Sequence, residues 1–192
     1  MIPEHIRPPI FIIVRLTLMC ALSLFLVNIF TSVMIQTHVR QDRLASFSRL
    51  LPKATTFKPY AKNRTLENAT IILGFDKEQK KAGYIINSTG HGYGGPIKML
   101  VGISGSKITS IQILSHGETR GMGSRATDTQ PMAGRAFTFQ GQFNNKSIFD
   151  QFSTHEDIIA LSGATITSQG VGDGIEAAVK IYRRLENVQY EN

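Results

Sequence analysis

Cysteine is nearly absent from this chain of 192 residues, since Cys20 is the only one. A lone cysteine cannot close an intramolecular disulfide, and it cannot supply the ligands of an iron–sulfur cluster or of a two-cysteine metal site. The chain also lacks a Gly-x-Gly-x-x-Gly turn that leads from a strand into a helix with a later acid, and it lacks a Gly-Lys-Ser/Thr phosphate loop. These absences argue against a nicotinamide site and against a P-loop nucleotide site.

Charge is missing from one long segment, LTLMCALSLFLVNIFTSVMI, which runs from Leu16 to Ile35. A run of this length predicts a transmembrane helix, because roughly 20 apolar residues cross the hydrocarbon layer of a bilayer. A cleaved signal peptide is the alternative, although its apolar region is usually about 7–15 residues long. We therefore interpret residues 1–36 as an N-terminal segment with one helix that spans a lipid bilayer.

The next stretch, residues 37–64, is basic and is interpreted as a juxtamembrane stalk. Apolar residues recur in it at helical spacing, namely Leu44, Phe47, Leu50 and Leu51. This pattern predicts that the membrane helix continues until Pro52 ends it. The charge favours a solvated face beside anionic lipid headgroups over a nucleic-acid partner, because the stretch directly follows the predicted membrane anchor.

Basic residues on both sides of the span bear on its orientation. Arg7 and Arg15 precede the span, whereas four basic residues follow it, namely Arg40, Arg43, Arg49 and Lys53. The positive-inside tendency, taken alone, slightly favours a cytoplasmic location for the C-terminal domain.

Residues 65–192 predict a single α+β domain with an antiparallel sheet and a C-terminal helix. The predicted strands are ATIILGFD, KAGYIINSTG, IKMLVGIS and KITSIQILSH. Gly105 and Ser106 lie at the turn of a hairpin, which is a better interpretation of GISGS than a hydrolase nucleophile elbow. The final segment has one apolar helical face, formed by Val171, Ile175, Ala178, Val179, Tyr182 and Leu185.

The segment LSGATITSQG, residues 161–170, precedes this helix and contains no charge. It offers hydroxyl groups from Ser162, Thr165, Thr167 and Ser168. Gly163 and Ala164 keep the local bulk small, and the free N–H groups of a helix start suit a phosphate. Helix capping by Thr167 or Ser168 is the alternative.

Three blocks of the sequence resemble the FMN-binding domain that the G subunit of Rnf electron-transport complexes shares with the C subunit of sodium-translocating NADH:quinone reductase. SGATITS is similar to the family's Ser/Thr-Gly-Ala-Thr flavinylation motif, HGETRGMGSR to its Glu-Thr-Pro-Gly-Leu-Gly block, and GHGYGGPIKMLVGI to the entry of its apolar strand. Their order and spacing match as well, so the resemblance covers nearly the whole chain. The short length and the single span are more similar to those of the Rnf subunit than to those of its quinone-reductase relative.

The resemblance implies an electron-transfer subunit that carries FMN covalently, as a phosphoester of Thr165 made by a separate flavin transferase. The cofactor-binding residues that it implies are Ser162, Gly163, Ala164, Thr165, Ile166 and Thr167, together with Glu118, Thr119, Met122 and Gly123 of a second loop, and Tyr93. Tyr93 has a surface aromatic as its alternative interpretation, and Glu118 has a loop cap. The resemblance also implies other membrane subunits as partners, and a soluble domain on the periplasmic side of the cell inner membrane.

Two positions depart from the family pattern. Relatives carry Asp three residues before the motif, where this chain has Ile159, and the nearest acid is Asp157. The proline of the glycine block is replaced by Arg120. The first change bears on how well a transferase reads the motif, and the second bears on the rigidity and charge of the loop.

Two other functions remain open at the level of the sequence. One is an extracytoplasmic covalent-FMN domain that serves another respiratory reductase. The other is a non-enzymatic anchored module in which SGATITS only caps a helix, and this alternative predicts no flavin.

Overall fold

The computed structural model describes residues 7–60, 70–154 and 156–190. In chain order it contains helix α1 (Arg7–Leu50), strands β1 (Thr56–Pro59), β2 (Ile71–Phe75), β3 (Lys81–His91), β4 (Pro96–Ser104) and β5 (Lys107–Ser115), two 3₁₀ turns (Gly123–Thr127 and Gln140–Phe143) and helix α2 (Thr165–Tyr190). The chain divides into two compact units, Met1–Ala45 and Ser46–Asn192.

The first unit is helical throughout its described part. Its window Phe11–Asn28 has a mean hydropathy of 2.1 and no buried residue, and it is the one candidate span among the described helices. This window overlaps the predicted span from Leu16 to Asn28, while the side chains of residues 29–42 lie outside the described part. Helix α1 ends at Leu50, so the predicted stop at Pro52 is confirmed.

The second unit is built on a five-stranded antiparallel sheet in which the strands pair in chain order. The four predicted strands correspond to β2, β3, β4 and β5. The turn between β4 and β5 contains Gly105 at φ +58°, which confirms the predicted hairpin. The α+β fold class with an antiparallel sheet and a C-terminal helix is therefore confirmed.

Helix α2 covers one face of the sheet and contacts mainly β3 and β4. Five of the six residues predicted for its apolar face are buried, and Leu185 packs at the edge of the same core. Its first turns approach β3 closely, because a Cβ atom added at Gly90 would overlap the carbonyl of Gly170. Gly170 is required by this contact, because an added Cβ there would overlap the His91 carbonyl oxygen, although glycine weakens a helix.

The opposite face of the sheet carries a second, smaller core. The end of α1 and the residues after it contribute Phe47, Leu50, Leu51 and Ala54, which pack with Ile72, Ile85 and Leu100. The Thr109 hydroxyl donates a hydrogen bond to the Leu50 carbonyl. The buried surface of these residues stabilises the unit, since each fully buried apolar side chain is worth about 1.5–3 kcal/mol.

The structure therefore differs from the sequence-based division at residues 37–64 and 65–192. Residues 46–59 belong to the second compact unit. Within the predicted stalk lies β1, which the sequence analysis did not predict and which pairs with β2. Strand β1 is only four residues long, and its pattern TFKP is too short to show a period. Residues 61–69, on both sides of the predicted boundary, lie outside the described part.

A substitution in this second core tests whether the stalk residues belong to the folded unit. We expect Phe47→Ala to lower the free energy of unfolding by about 3–5 kcal/mol, because the Phe47 ring is 1% exposed. The half-exposed Leu114 gives the matched control, and Leu114→Ala should cost under about 1 kcal/mol. Urea unfolding of the full chain in detergent, followed by tyrosine fluorescence, measures both values, since every tyrosine lies after Ser46. Equal effects of the two substitutions would contradict the assignment.

Candidate functional site

A cavity of about 540 Å³ lies at the start of α2 and is called the main cavity. Its volume falls within the roughly 300–1,000 Å³ that is usual for small-molecule sites. The residues that line it are Tyr93, Glu118, Thr119, Met122, Gly123, Gly163, Ala164, Thr165, Ile166 and Thr167. All of them are residues singled out in the sequence, and the structure brings them together from three separate segments. Ser162, the remaining candidate, lines a neighbouring cavity of about 290 Å³.

The start of α2 presents backbone N–H donors at the main cavity. Thr165 is the first residue of α2, and the N–H group of Ser168 is the first to donate to a carbonyl within this turn, that of Ala164. The N–H groups of the three preceding residues have no partner inside a helix. Ala164 has no side-chain oxygen to cap them, so this helix start suits the phosphate of a ligand.

The four hydroxyl groups of the segment have different surroundings. Thr167 and Ser168 are buried, with 1% and 0% exposure. The Thr167 hydroxyl donates to Glu118, and the Ser168 hydroxyl accepts from the Leu161 N–H and donates to the Ala164 carbonyl. Both residues lie inside α2, so neither caps its N-terminus as the alternative interpretation expected.

The two remaining hydroxyl groups, those of Ser162 and Thr165, belong to exposed residues. Ser162 faces the neighbouring cavity, whereas Thr165 lines the main cavity. Of the four hydroxyl-bearing residues, Thr165 alone is both exposed and part of the main cavity. Within this segment it is therefore the hydroxyl that a ligand in the main cavity can reach.

Glu118 is buried beside the main cavity, and both of its carboxylate oxygens are bonded. Oε1 accepts a hydrogen bond from the Gly94 N–H at 2.9 Å, and Oε2 accepts one from the Thr167 hydroxyl at 2.5 Å. Gly92 and Gly123 leave room for this carboxylate, because an added Cβ at either position would press on one of its oxygens. Glu118 thus joins three segments of the site, and its interpretation as a mere loop cap is too narrow.

Large apolar side chains stand exposed around the mouth of the main cavity. Tyr93 is 77% exposed, Met122 is 52% exposed and Ile166 is 57% exposed. Exposed apolar groups around a concave site commonly mark a ligand-binding surface. An aromatic ring and a polarizable thioether suit the face of a planar aromatic ligand.

The two departures from the family pattern lie near the site. Arg120 is exposed in the loop that carries Glu118. Ile159 lines the neighbouring cavity, and its backbone N–H donates to the Gln142 side chain at 2.8 Å. Asp157 lies 3.9 Å from the Lys146 ammonium and lines neither of these two cavities. Asp157 thus lies away from the neighbouring cavity, which Ile159 lines.

The sequence analysis did not single out Arg125, Gly92 or Gly94. The Arg125 guanidinium donates a hydrogen bond to the Ser162 carbonyl at 3.1 Å. All three residues fall within blocks that carry the family resemblance, GHGYGG and GETRGMGSR. Their place in these blocks was the available signal, but only the tertiary contacts assign them a role.

Comparison with known proteins identifies the class to which this site belongs. Residues 92–180 match the FMN-binding domain family. The chain is 31% identical over 147 residues to the G subunit of the ion-translocating oxidoreductase complex of Methanosarcina acetivorans, a match that covers 72% of this chain and 74% of that one. It is 30% identical over 186 residues to the protein of the same name from Stutzerimonas stutzeri, with coverage of 91% and 81%.

A solved structure supports the fold alone. The C subunit of the Na⁺-translocating NADH-quinone reductase from Parabacteroides distasonis matches with a TM-score of 0.50 and 13% identity, over 75% of this chain and 92% of that one. The domain around the main cavity is therefore an FMN-binding domain. The chain as a whole belongs to the family of G subunits of ion-translocating oxidoreductase complexes.

The residues of the main cavity fit FMN in their chemistry. The uncapped start of α2 offers N–H donors for the phosphate, and the mouth offers apolar surface for the flavin ring. Gly163, at φ +77°, has only the Met122 methyl group near the position of a Cβ, at 3.7 Å, so the backbone is open to close approach there.

Gly123 provides a test of the packing that shapes the cavity. A Cβ at this position would lie 2.5 Å from Glu118 Oε2 and 2.6 Å from Thr167 Oγ1. We expect Gly123→Ala to lower the free energy of unfolding by about 2–3 kcal/mol, because the added methyl group must displace this hydrogen bond. Gly121 in the same loop has open space and φ +77°, so Gly121→Ala should cost only the backbone strain of about 1–2 kcal/mol. Urea unfolding compares the two, and a smaller effect at Gly123 would contradict the packing.

Proposed function

We propose that this protein is a membrane-anchored electron-transfer subunit that carries one FMN, bound covalently through its phosphate to Thr165, within an Rnf-type ion-translocating oxidoreductase complex. Membership of the G-subunit family and the FMN-binding domain support the cofactor and the redox role. The observation that carries the covalent assignment is that Thr165 alone, among four neighbouring hydroxyl-bearing residues, is both exposed and part of the main cavity.

The attachment is a phosphoryl transfer to the Thr165 hydroxyl. A new bond joins Thr165 Oγ1 to the flavin phosphorus, and the phosphoanhydride bond of a flavin pyrophosphate donor breaks, so that the second phosphate of the donor leaves with its substituent. The proton of the hydroxyl passes to a base of the flavin transferase, since the nearest carboxylate of the cavity, Glu118, is already bonded to Gly94 and Thr167.

The residues of the cavity then hold the cofactor. The N–H groups at the start of α2 stabilise the phosphodiester anion, and the dipole of the helix adds about 0.3–1 kcal/mol. Tyr93, Met122 and Ile166 provide apolar contact for the ring. FMN supplies the redox chemistry, and the protein supplies position and electrostatics. With FMN bound, the subunit would relay electrons between other subunits of the complex.

The membrane helix and the side of the membrane complete the proposal. The window Phe11–Asn28 anchors the subunit in the inner membrane as a single-pass protein. We place the FMN domain on the periplasmic side, where a covalent bond prevents loss of the cofactor. The positive-inside tendency slightly favours the cytoplasm. We give the family resemblance more weight, because assembly with multi-spanning subunits can impose the opposite orientation.

Substitution of the hydroxyl residues tests the covalent bond. The full chain is produced in a host that has the flavin transferase, denatured and examined on a gel under ultraviolet light. We expect a fluorescent band for the wild type and for Ser162→Ala, and no band for Thr165→Ala, because Thr165 is the one hydroxyl residue of the segment 161–170 that is both exposed and part of the main cavity. Mass spectrometry of the labelled peptide should place one FMN phosphate on Thr165.

Two results would overturn this assignment. A wild-type protein without a fluorescent band would return the segment to a structural role and support the anchored module without flavin. A band that survives in Thr165→Ala and disappears in Ser162→Ala would move the attachment to the neighbouring cavity. The conservative variant Thr165→Ser should keep the label, since it retains the hydroxyl group.

Reporter fusions at the C-terminus test the side of the membrane. For a periplasmic domain we expect the alkaline phosphatase fusion to be active, because phosphatase folds in the oxidising periplasm. The fusion to green fluorescent protein should show no fluorescence. The measurement is enzyme activity against whole-cell fluorescence at equal protein level. The opposite pair, a fluorescent fusion and an inactive phosphatase, would place the domain in the cytoplasm.

A further inference from the structure

One loop contacts the attachment segment at both of its ends. We define the glycine loop as residues 116–127, HGETRGMGSRAT, and the attachment segment as residues 162–167, SGATIT. The Arg125 guanidinium of the glycine loop donates to the carbonyl of Ser162, the first residue of the attachment segment. The Glu118 carboxylate of the same loop accepts from the hydroxyl of Thr167, its last residue. Thr165 lies between these two contacts and is exposed.

The contact at Thr167 is buried and tightly enclosed. Thr167 is 1% exposed and Glu118 is 9% exposed. The second carboxylate oxygen of Glu118 is held by the Gly94 N–H, which fixes the orientation of the carboxylate. The Thr167 hydroxyl is therefore held on a carboxylate whose own orientation is fixed.

The contact at Ser162 constrains the other end of the segment. The Arg125 side chain reaches the Ser162 carbonyl at 3.1 Å from a residue of the 3₁₀ turn Gly123–Thr127. The next residue, Gly163, adopts φ +77°, a left-handed conformation that the chain must hold in order to enter α2 at Thr165. A bond on the carbonyl that precedes Gly163 limits the rotation of this flexible position.

We propose that the glycine loop acts as a two-point clamp, in which Glu118 and Arg125 are positioning residues that fix the Thr165 hydroxyl in the geometry required for phosphoryl transfer. The inference rests on the proposed function, because it concerns the same threonine. It assigns Glu118 a role through Thr167, and it assigns Arg125 a role that the family resemblance did not suggest. Accurate placement matters, since a displacement of about 1 Å of a reacting group can cost roughly 100-fold in rate.

The experiment opens each end of the clamp separately. Thr167→Val keeps the shape of the side chain and removes the hydroxyl, while Thr167→Ser keeps the hydroxyl. Arg125→Gln removes the guanidinium. Tyr182→Phe is the stability control, since it removes a hydrogen bond to the Gly105 carbonyl, which lies in the turn between β4 and β5, at the other end of the strands.

Two measurements are made on each full-length variant. The first is the initial rate of covalent flavin labelling by the transferase, with a flavin pyrophosphate as donor. The second is the hydrogen exchange of the backbone N–H groups in the peptide that contains residues 161–168, measured on unlabelled protein, together with the melting temperature. The second measurement reports the mobility of the segment without any flavin.

For Thr167→Val and Arg125→Gln we expect labelling to slow by about tenfold or more, with faster exchange in residues 161–168. Thr167→Ser should restore both values, and Tyr182→Phe should label as fast as the wild type at an equal loss of melting temperature. Wild-type labelling rate and wild-type exchange in both clamp variants would overturn the clamp while leaving the attachment at Thr165 intact. Slow labelling with unchanged exchange would also overturn it, because the residues would then act by direct contact with the transferase. A wild-type protein without label at Thr165 would instead overturn the proposed function.

Discussion

The first turns of α2 lie directly on the end of β3, because Gly90 and Gly170 place no side chain between the two backbones. Gly174 continues this contact one turn later, where an added Cβ would press on the Met99 side chain. A helix that starts at this point must present its N-terminus beside the loop that leaves β3. The position of the cavity, and the entry of the chain into α2, follow from this close approach of helix and sheet.

Because α2 is fixed in this way, three segments that are distant in the chain meet at its start. The loop after β3 brings Gly92, Tyr93 and Gly94, and the loop after β5 brings Glu118 through Gly123. The buried carboxylate of Glu118 bonds to the other two segments at once. A buried carboxylate without such partners would be costly. Gly92 and Gly123 leave the space in which the carboxylate reaches both partners.

Much of the fold could be predicted from the sequence. Alternation over β2 to β5, the Gly105 turn and the apolar face of α2 are local patterns, and local patterns report secondary structure and burial. Strand β1 and the packing of Phe47 on the sheet were not predictable in this way, since TFKP is too short to show a period and basic residues surround both. Phe47 is buried and β1 is paired only through residues that lie elsewhere in the chain, on the sheet.

By itself the sequence determined the candidate residues. A hydroxyl residue beside glycine and alanine at a helix start can be recognised from residue type and order alone. Only the tertiary structure decided what each candidate does. Thr165 and Thr167 are two residues apart and carry the same hydroxyl group. Thr165 is exposed and lines the cavity, whereas Thr167 donates a hydrogen bond to Glu118. The difference arises because successive residues of a helix point about 100° apart, and which direction faces the core depends on where α2 packs. Arg125 likewise acquires its contact with Ser162 only when a loop and a helix start, 37 residues apart in sequence, fold against each other.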